Sequence, residues 1–265
     1  MTTQFIERMA VEVDGEGDAV LMLHGLGGTS NTWVPLLPAL SRHLRIRPDL
    51  PGSGRSERVE GPLSLERFVT AALRALAAAG AERAHVIAHS MGTIVAQHLA
   101  ALHPAVVRSL ALFGPLLAPP EPARASIRAR GQKARDGGVA GMQEIADSLV
   151  HASTSTMSKQ QRHAAVAFVR ESLMRQSPDG YARNCEALAD MQPADTAKIA
   201  CPALLVTGDD DVVAPPQSVR QMADRIAATG ARVQVEVLRG CGHWTPVEMP
   251  EECADLLRRF LAQQR

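Results

Sequence analysis

The chain has 265 residues, with 28 basic and 28 acidic side chains, so no net field draws it to nucleic acid or to an anionic membrane. Apolar residues make up 46% and charged residues 21%, ordinary for a globular protein, while aromatics at 3% leave the core to Ala, Leu and Val. No apolar run approaches the roughly 20 residues that span a bilayer, and Met1-Thr2-Thr3-Gln4-Phe5 has no basic stretch leading into an apolar one, which together predict a cytoplasmic protein.

In chain order, Ala19-Val20-Leu21-Met22-Leu23 reads as a buried strand ending at His24-Gly25. Leu44 to Arg47 is a weaker strand ending near Asp49, and Ser64 to Ala79 has helical spacing of apolar residues. Ala84 to Ala88 is the next strand, Thr93 to Leu102 a helix, and Val107 to Phe113 a further strand. Ala203 to Thr207 and the alternating Val233 to Val237 are the last strands; Gln217 to Ala228 and Ala254 to Leu261 are helices. Strands alternating with helices predict an α/β fold, a mostly parallel central sheet with helices on both faces.

One stretch breaks this rhythm. Between about Leu116 and Met191 there is no convincing strand, only helical patterns at Gly141 to Val150, Gln160 to Met174 and Pro178 to Ala189. Pro119-Pro120-Glu121-Pro122 opens it and Met191-Gln192-Pro193 closes it. The expected organisation is a core formed by residues 1–115 and 193–265, with residues 116–192 a helical cap over the carboxyl edge of the sheet. The four cysteines, Cys185, Cys201, Cys241 and Cys253, lack metal or redox spacing and read as free thiols.

The chemistry concentrates at three strand ends. Ala88-His89-Ser90-Met91-Gly92 joins a strand to a helix with small residues two positions either side of a serine, the pattern of a nucleophile elbow. A serine needs a base, and the base needs an acid to fix its tautomer. Gly208-Asp209-Asp210-Asp211 follows one strand and offers three candidate acids; Gly240-Cys241-Gly242-His243-Trp244 follows the last and offers a base. Ser90, Asp211 and His243 fall in the order nucleophile, acid, base. The turn also points the backbone N–H of Met91 at whatever the serine attacks. His24, Gly25, His89, Trp33 and Trp244 form the expected surroundings of the substrate, with Trp33 and Trp244 open to either a core or a pocket role. His85, His98 and His103 belong to no ligand set.

These motifs resemble the α/β-hydrolase superfamily over nearly the whole chain. His24-Gly25-Leu26-Gly27 with Trp33 is similar to its oxyanion loop, which implies the backbone N–H groups of Leu26 and Met91 as oxyanion donors and His24 as the pin of the loop, and Asp49-Leu50-Pro51-Gly52-Ser53-Gly54-Arg55-Ser56 is similar to its tight turn after the next strand. The family's acid motif, glycine, two residues, aspartate, three residues, proline, falls on Asp211 among the three aspartates. The elbow departs from the family pattern in opening with Ala88 rather than glycine, a residue small enough to fit. The resemblance implies a serine hydrolase that acts through an acyl-enzyme with no metal and no organic cofactor. Gly141 to Asp147 and Ser177 to Leu188 look like cap segments of 3-oxoadipate enol-lactonases, which act in aromatic degradation. That implies a small-molecule ester or lactone substrate; a carbon–carbon hydrolase of ring-fission dienones and a general carboxylesterase are the alternatives. Neither nucleic acid nor membrane is an expected partner, and homo-oligomerisation is left open. A substrate carboxylate would want a cap cation, and Arg124, Arg128, Arg130, Arg135, Arg162, Arg170, Arg175 and Arg183 are all candidates.

Overall fold

The computed structural model describes residues 2–56 and 60–264. The chain opens with two strands, β1 (Thr2–Ile6) and β2 (Met9–Asp14), followed by β3 (Asp18–Leu23), a 3-10 segment (Ser30–Leu40) and β4 (His43–Pro48). Then helices and strands alternate: α1 (Leu65–Ala78), β5 (Ala84–His89), α2 (Met91–Leu102) and β6 (Val107–Phe113). Four helices follow without a strand, α3 (Glu121–Ser153), α4 (Thr156–Gln161), α5 (His163–Met174) and α6 (Pro178–Asp190). The alternation resumes with β7 (Ala203–Gly208), α7 (Pro216–Ala227), β8 (Val233–Leu238), the short α8 (Thr245–Glu248) and α9 (Pro250–Ala262).

Among the described residues the strands form one eight-stranded sheet in the order β1-β2-β4-β3-β5-β6-β7-β8. β1 and β2 pair antiparallel with each other, and β2 pairs antiparallel with β4; every other neighbouring pair is parallel. β3 has β4 on one side and β5 on the other, so the loops leaving β3 and β5 diverge and open a crevice at the carboxyl ends of these strands.

Side chains alternate faithfully across this sheet. Leu21, Leu23, Val86 and Ala88 face α1, α2 and α7 in one buried layer. Val20, Met22, Ile87 and Phe113 face the 3-10 segment and α9 in the other. All six residues of β5 are buried, which suits a central strand covered on both faces. The helices begin where local chemistry permits: Ser64 caps α1 by accepting from Arg67 N, and Ser177 caps α6 from Gly180 N with Pro178 in the first turn.

The α/β expectation and the strand-free stretch hold, with three differences of detail. β1 and β2 were not among the expected elements. α3 begins at Glu121, well before the expected start at Gly141, because Pro122 sits in the first turn, where no N–H is needed. It then breaks at Gly138, whose φ of 55° and ψ of −135° are not helical. The expected helix from Gln160 is instead split at Arg162 into α4 and α5. No described helix is long and apolar enough to cross a membrane.

Candidate active site

Ser90 occupies the turn between β5 and α2 with φ 50° and ψ −122°, a left-handed conformation that costs a non-glycine residue of the order of 1–3 kcal/mol. The surroundings hold it there. Ser90 N donates to Phe113 O at 3.0 Å, and Thr93 donates to Ser90 O through both its N–H (2.8 Å) and its hydroxyl (2.6 Å). A Cβ at position 92 would lie 2.4 Å from Leu23 O and 2.6 Å from His24 O, so only glycine lets α2 start this close to the end of β3.

Two loops bring partners to the serine. The loop after β8 places His243 Nε2 2.8 Å from Ser90 Oγ. The loop after β7 places Asp211 Oδ2 2.9 Å from His243 Nδ1, on the far side of the ring. With Nδ1–H donating to the carboxylate, Nε2 is free to accept from the serine hydroxyl. Asp211 is 2% exposed. Its Oδ1 accepts from Val213 N and Ala214 N, both at 2.8 Å, and its Oδ2 from the Thr207 hydroxyl at 3.3 Å. Burial pushes its carboxyl upward, but the adjacent His243 and these N–H donors outweigh that and hold it below the usual carboxylate value. Of the three consecutive aspartates, Asp211 therefore reaches the histidine, whereas Asp209 turns to Gly240 N and Cys241 N and Asp210 to Thr156 N.

The histidine loop is seated by a residue that the sequence reading passed over. Glu248, 1% exposed, accepts from Gly242 N (3.1 Å) and Ser155 N (2.8 Å) through Oε2 and from Trp244 N (3.0 Å) through Oε1. His243 N donates to Ser153 O at 2.8 Å, and Trp244 Nε1 to Ser153 Oγ at 3.2 Å. A signal was present: a glutamate in a short Pro-containing turn four residues after an aromatic, directly behind a glycine-rich loop. His89 supports the same loop from the elbow side. Its Nε2–H donates to His243 O at 2.9 Å, and its ring packs 5.1 Å from that of His243 and 5.2 Å from that of Trp244. Burial lowers its pKa to about 3, so it is neutral and unsuited to hold a positive charge beside His243.

The oxyanion loop lies opposite. Leu50 N donates to His24 Nε2 at 2.8 Å, which leaves Nδ1–H to donate to Gly25 O at 2.8 Å. His24 is fully buried, burial depresses its pKa, and its position is behind the loop rather than in the pocket. Gly25 adjoins Ser90 so closely that a Cβ there would come within 2.8 Å of Ser90 Cβ. Gly27 O is fixed by the Ser172 hydroxyl (2.7 Å) and Gln176 Nε2 (3.2 Å) from the α5 end of the helical segment. Met91 is the first residue of α2, so its N–H has no partner within the helix and points outward at the positive end of the helix dipole.

These groups open onto a cavity of about 280 Å³ lined by Ser90, His243, His89, Leu26 and Trp244, with apolar walls that include Leu116, Ile127, Leu149, Leu188 and Val213. Trp33 is not part of it. The expectation that it walls the pocket is corrected by its place in the core: it is 0% exposed and meets Phe113 edge-on at 6.3 Å on the α9 side of the sheet. Four helices stand between β6 and β7, and those that line the cavity face the carboxyl ends of the strands.

Comparison with known proteins agrees with this fold. Residues 20–256 match the model of the alpha/beta hydrolase family. The 2-hydroxymuconate semialdehyde hydrolase of Pseudomonas putida is 28% identical over 263 residues, covering 94% of this chain and 89% of that protein. A local match to a protein of Azorhizobium caulinodans, provisionally named carbamate hydrolase RutD, is 41% identical over 102 residues and covers 38% of each chain. Among solved structures, the enol-lactonase of Burkholderia xenovorans LB400 superposes with a TM-score of 0.88 at 26% identity, covering 98% of this chain and all of that one. Sheet order, elbow and sequence match together place this chain in the alpha/beta hydrolase family.

Proposed function

We propose that the chain is a serine hydrolase of small-molecule carboxylic esters or lactones, acting through an acyl-enzyme. The observation that carries the reading is the continuous chain from Ser90 Oγ through the His243 ring to Asp211, at 2.8 and 2.9 Å, opening on a cavity of about 280 Å³. In this reading Ser90 Oγ attacks the acyl carbon as its proton passes to His243 Nε2, and Asp211 stabilises the imidazolium. The N–H groups of Leu26 and Met91 bind the oxyanion, where loss of one donor costs about 3 kcal/mol of transition-state stabilisation. The tetrahedral species collapses as His243 returns the proton to the leaving oxygen. Water, deprotonated by the same histidine, then frees the acid and Ser90. Every step uses groups of the chain itself.

The 28% identity to a 2-hydroxymuconate semialdehyde hydrolase supports a second reading, carbon–carbon cleavage of a ring-fission dienone in the same site. Turnover of p-nitrophenyl acetate, an enol-lactone and such a dienone, measured side by side, separates the two. The ester reading expects turnover of the first two and a loss of about 10⁴-fold or more in kcat for Ser90→Ala. Turnover of the dienone alone selects the second reading, and an unchanged Ser90→Ala rate overturns both.

A further inference from the structure

We infer that Arg130 is an anion clamp in the catalytic cavity and that the natural substrate carries a carboxylate at the end remote from the scissile bond. This deepens the ester and lactone reading above and rests on it. α3 turns one face to the cavity: Ala123, Ser126, Ile127 and Arg130, at spacings of three, four and seven, all line it. Ser90 and His243 line the same chamber, and at about 280 Å³ a single small molecule reaches both the nucleophile and the guanidinium.

The other arginines of the helical segment are engaged elsewhere or lie outside. Arg124 binds the carbonyls of Ala189 and Met191, Arg128 pairs with Asp190, and Arg135 with Glu186. Arg170 pairs with Asp147, and Arg162 donates to Gly240 O. Arg175 is exposed, and Arg183 is absent from the cavity walls. Arg130 has no carboxylate partner among the described residues. Its immediate polar neighbours are the Tyr181 hydroxyl and the Cys185 thiol. Burial pushes both of these groups up, so neither supplies negative charge near pH 7. Its Nε and the Tyr181 hydroxyl are both buried without a hydrogen-bond partner.

A guanidinium does not lose its proton in a protein, so it cannot escape this environment by neutralisation. No Asp or Glu lines the chamber, so the guanidinium faces no carboxylate of the chain there. The compensating charge therefore arrives with the ligand. The planar fork matches a carboxylate through two parallel N–H···O bonds. Leu26, Ile127, Leu149 and Leu188 accommodate a short apolar spacer between that carboxylate and the acyl carbon. The substrate class is thus a half-ester or a lactone acid.

The test compares mono-p-nitrophenyl glutarate with p-nitrophenyl pentanoate, which differ chiefly in the terminal carboxylate. The wild-type chain is expected to favour the anionic ester in kcat/KM. In Arg130→Met the anionic-to-neutral ratio falls about ten- to a hundredfold, and Arg130→Lys restores part of it. An unchanged ratio in Arg130→Met overturns the clamp. Calorimetric titration with glutarate itself keeps the two readings apart. If no ester is hydrolysed, yet glutarate binds the wild type at least tenfold more tightly than Arg130→Met, the clamp stands and the ester reading falls. Glutarate that binds both equally, or neither, removes the clamp whatever the hydrolysis assays show.

Discussion

The strand-end loops and the helical segment solve opposite problems with different materials. At the strand ends each reacting group is held by several short bonds to backbone: Ser90 by Phe113 O and Thr93, Asp211 by Val213 N and Ala214 N, and the His243 loop by Ser153 O and Glu248. Backbone donors barely move, and their geometry follows from the sheet. The helical segment is tied together on its outside by exposed ion pairs such as Lys133 with Glu144 and Arg170 with Asp147, which solvent screening leaves weak. Its inner face presents side chains rather than backbone to the cavity. On the proposed reading, reaction type is thus fixed by the sheet, and choice of substrate is left to a helix face that can change residue by residue without disturbing Ser90, His243 and Asp211.

The sharpest probe of the sheet side is Asp211→Asn. The Val213 and Ala214 N–H groups still hold the side-chain oxygen, but the new amide donates toward His243 Nδ1 and favours the tautomer that carries its proton on Nε2. A drop in kcat of about 10⁴-fold with native stability is expected; a loss under tenfold would mean that Asp209 or Asp210 does this work. Glu248→Gln comes next. Its amide nitrogen must face an N–H group of Gly242, Ser155 or Trp244, so chemical unfolding should show a loss of about 2–3 kcal/mol, with kcat down at least tenfold. Full activity in a destabilised variant would separate the seat of the loop from catalysis.

The mildest effect is on pH. His24, His85 and His89 are all buried in or beneath the sheet side; burial lowers all three, with His85 near pKa 4 and His89 near 3. Unfolded histidines bind protons from about pH 6.5 downward while these folded ones do not, so acid favours unfolding. The contribution is complete above about pH 6.5 and is lost progressively as the pH falls toward 3–4. Urea midpoints should therefore decline from pH 7 to pH 4.5, and His89→Gln should flatten the decline. A midpoint independent of pH across that range would contradict the burial of these rings.

The sequence shows the sheet well and the helical segment poorly, for a physical reason. Four parallel strands, β3, β5, β6 and β7, are short apolar runs covered on both faces, and such runs stand out. The hydrogen-bonded series Ser90, His243 and Asp211 is legible because three loops at strand ends need only the order of the strands to be brought together, and β5, β7 and β8 share one carboxyl edge. β1 and β2 lie at the antiparallel edge, where Val11-Glu12-Val13 alternates too briefly to be distinctive. The first half of α3 is polar on most sides and opens with prolines, so it carries little periodic signal. Even so, Ile127, Gly131 and Ala134 are buried at spacings of four and seven, and Arg130 lies on that inward stripe. Knowing which helix face turns inward would have picked Arg130 from the eight arginines; the face is set by tertiary packing, which no local window contains.

Ser153 closes α3, yet its carbonyl and hydroxyl hold His243 and Trp244, while Ser155 N reaches Glu248. Engineering therefore cannot treat the helical segment as a cassette that lifts off at its hinges. A graft that swaps in another specificity has to keep positions 153 to 155, or re-create their bonds to the histidine loop. Shuffled chimaeras should divide by that junction, with those spliced after residue 155 retaining a seated base and those spliced before it losing one.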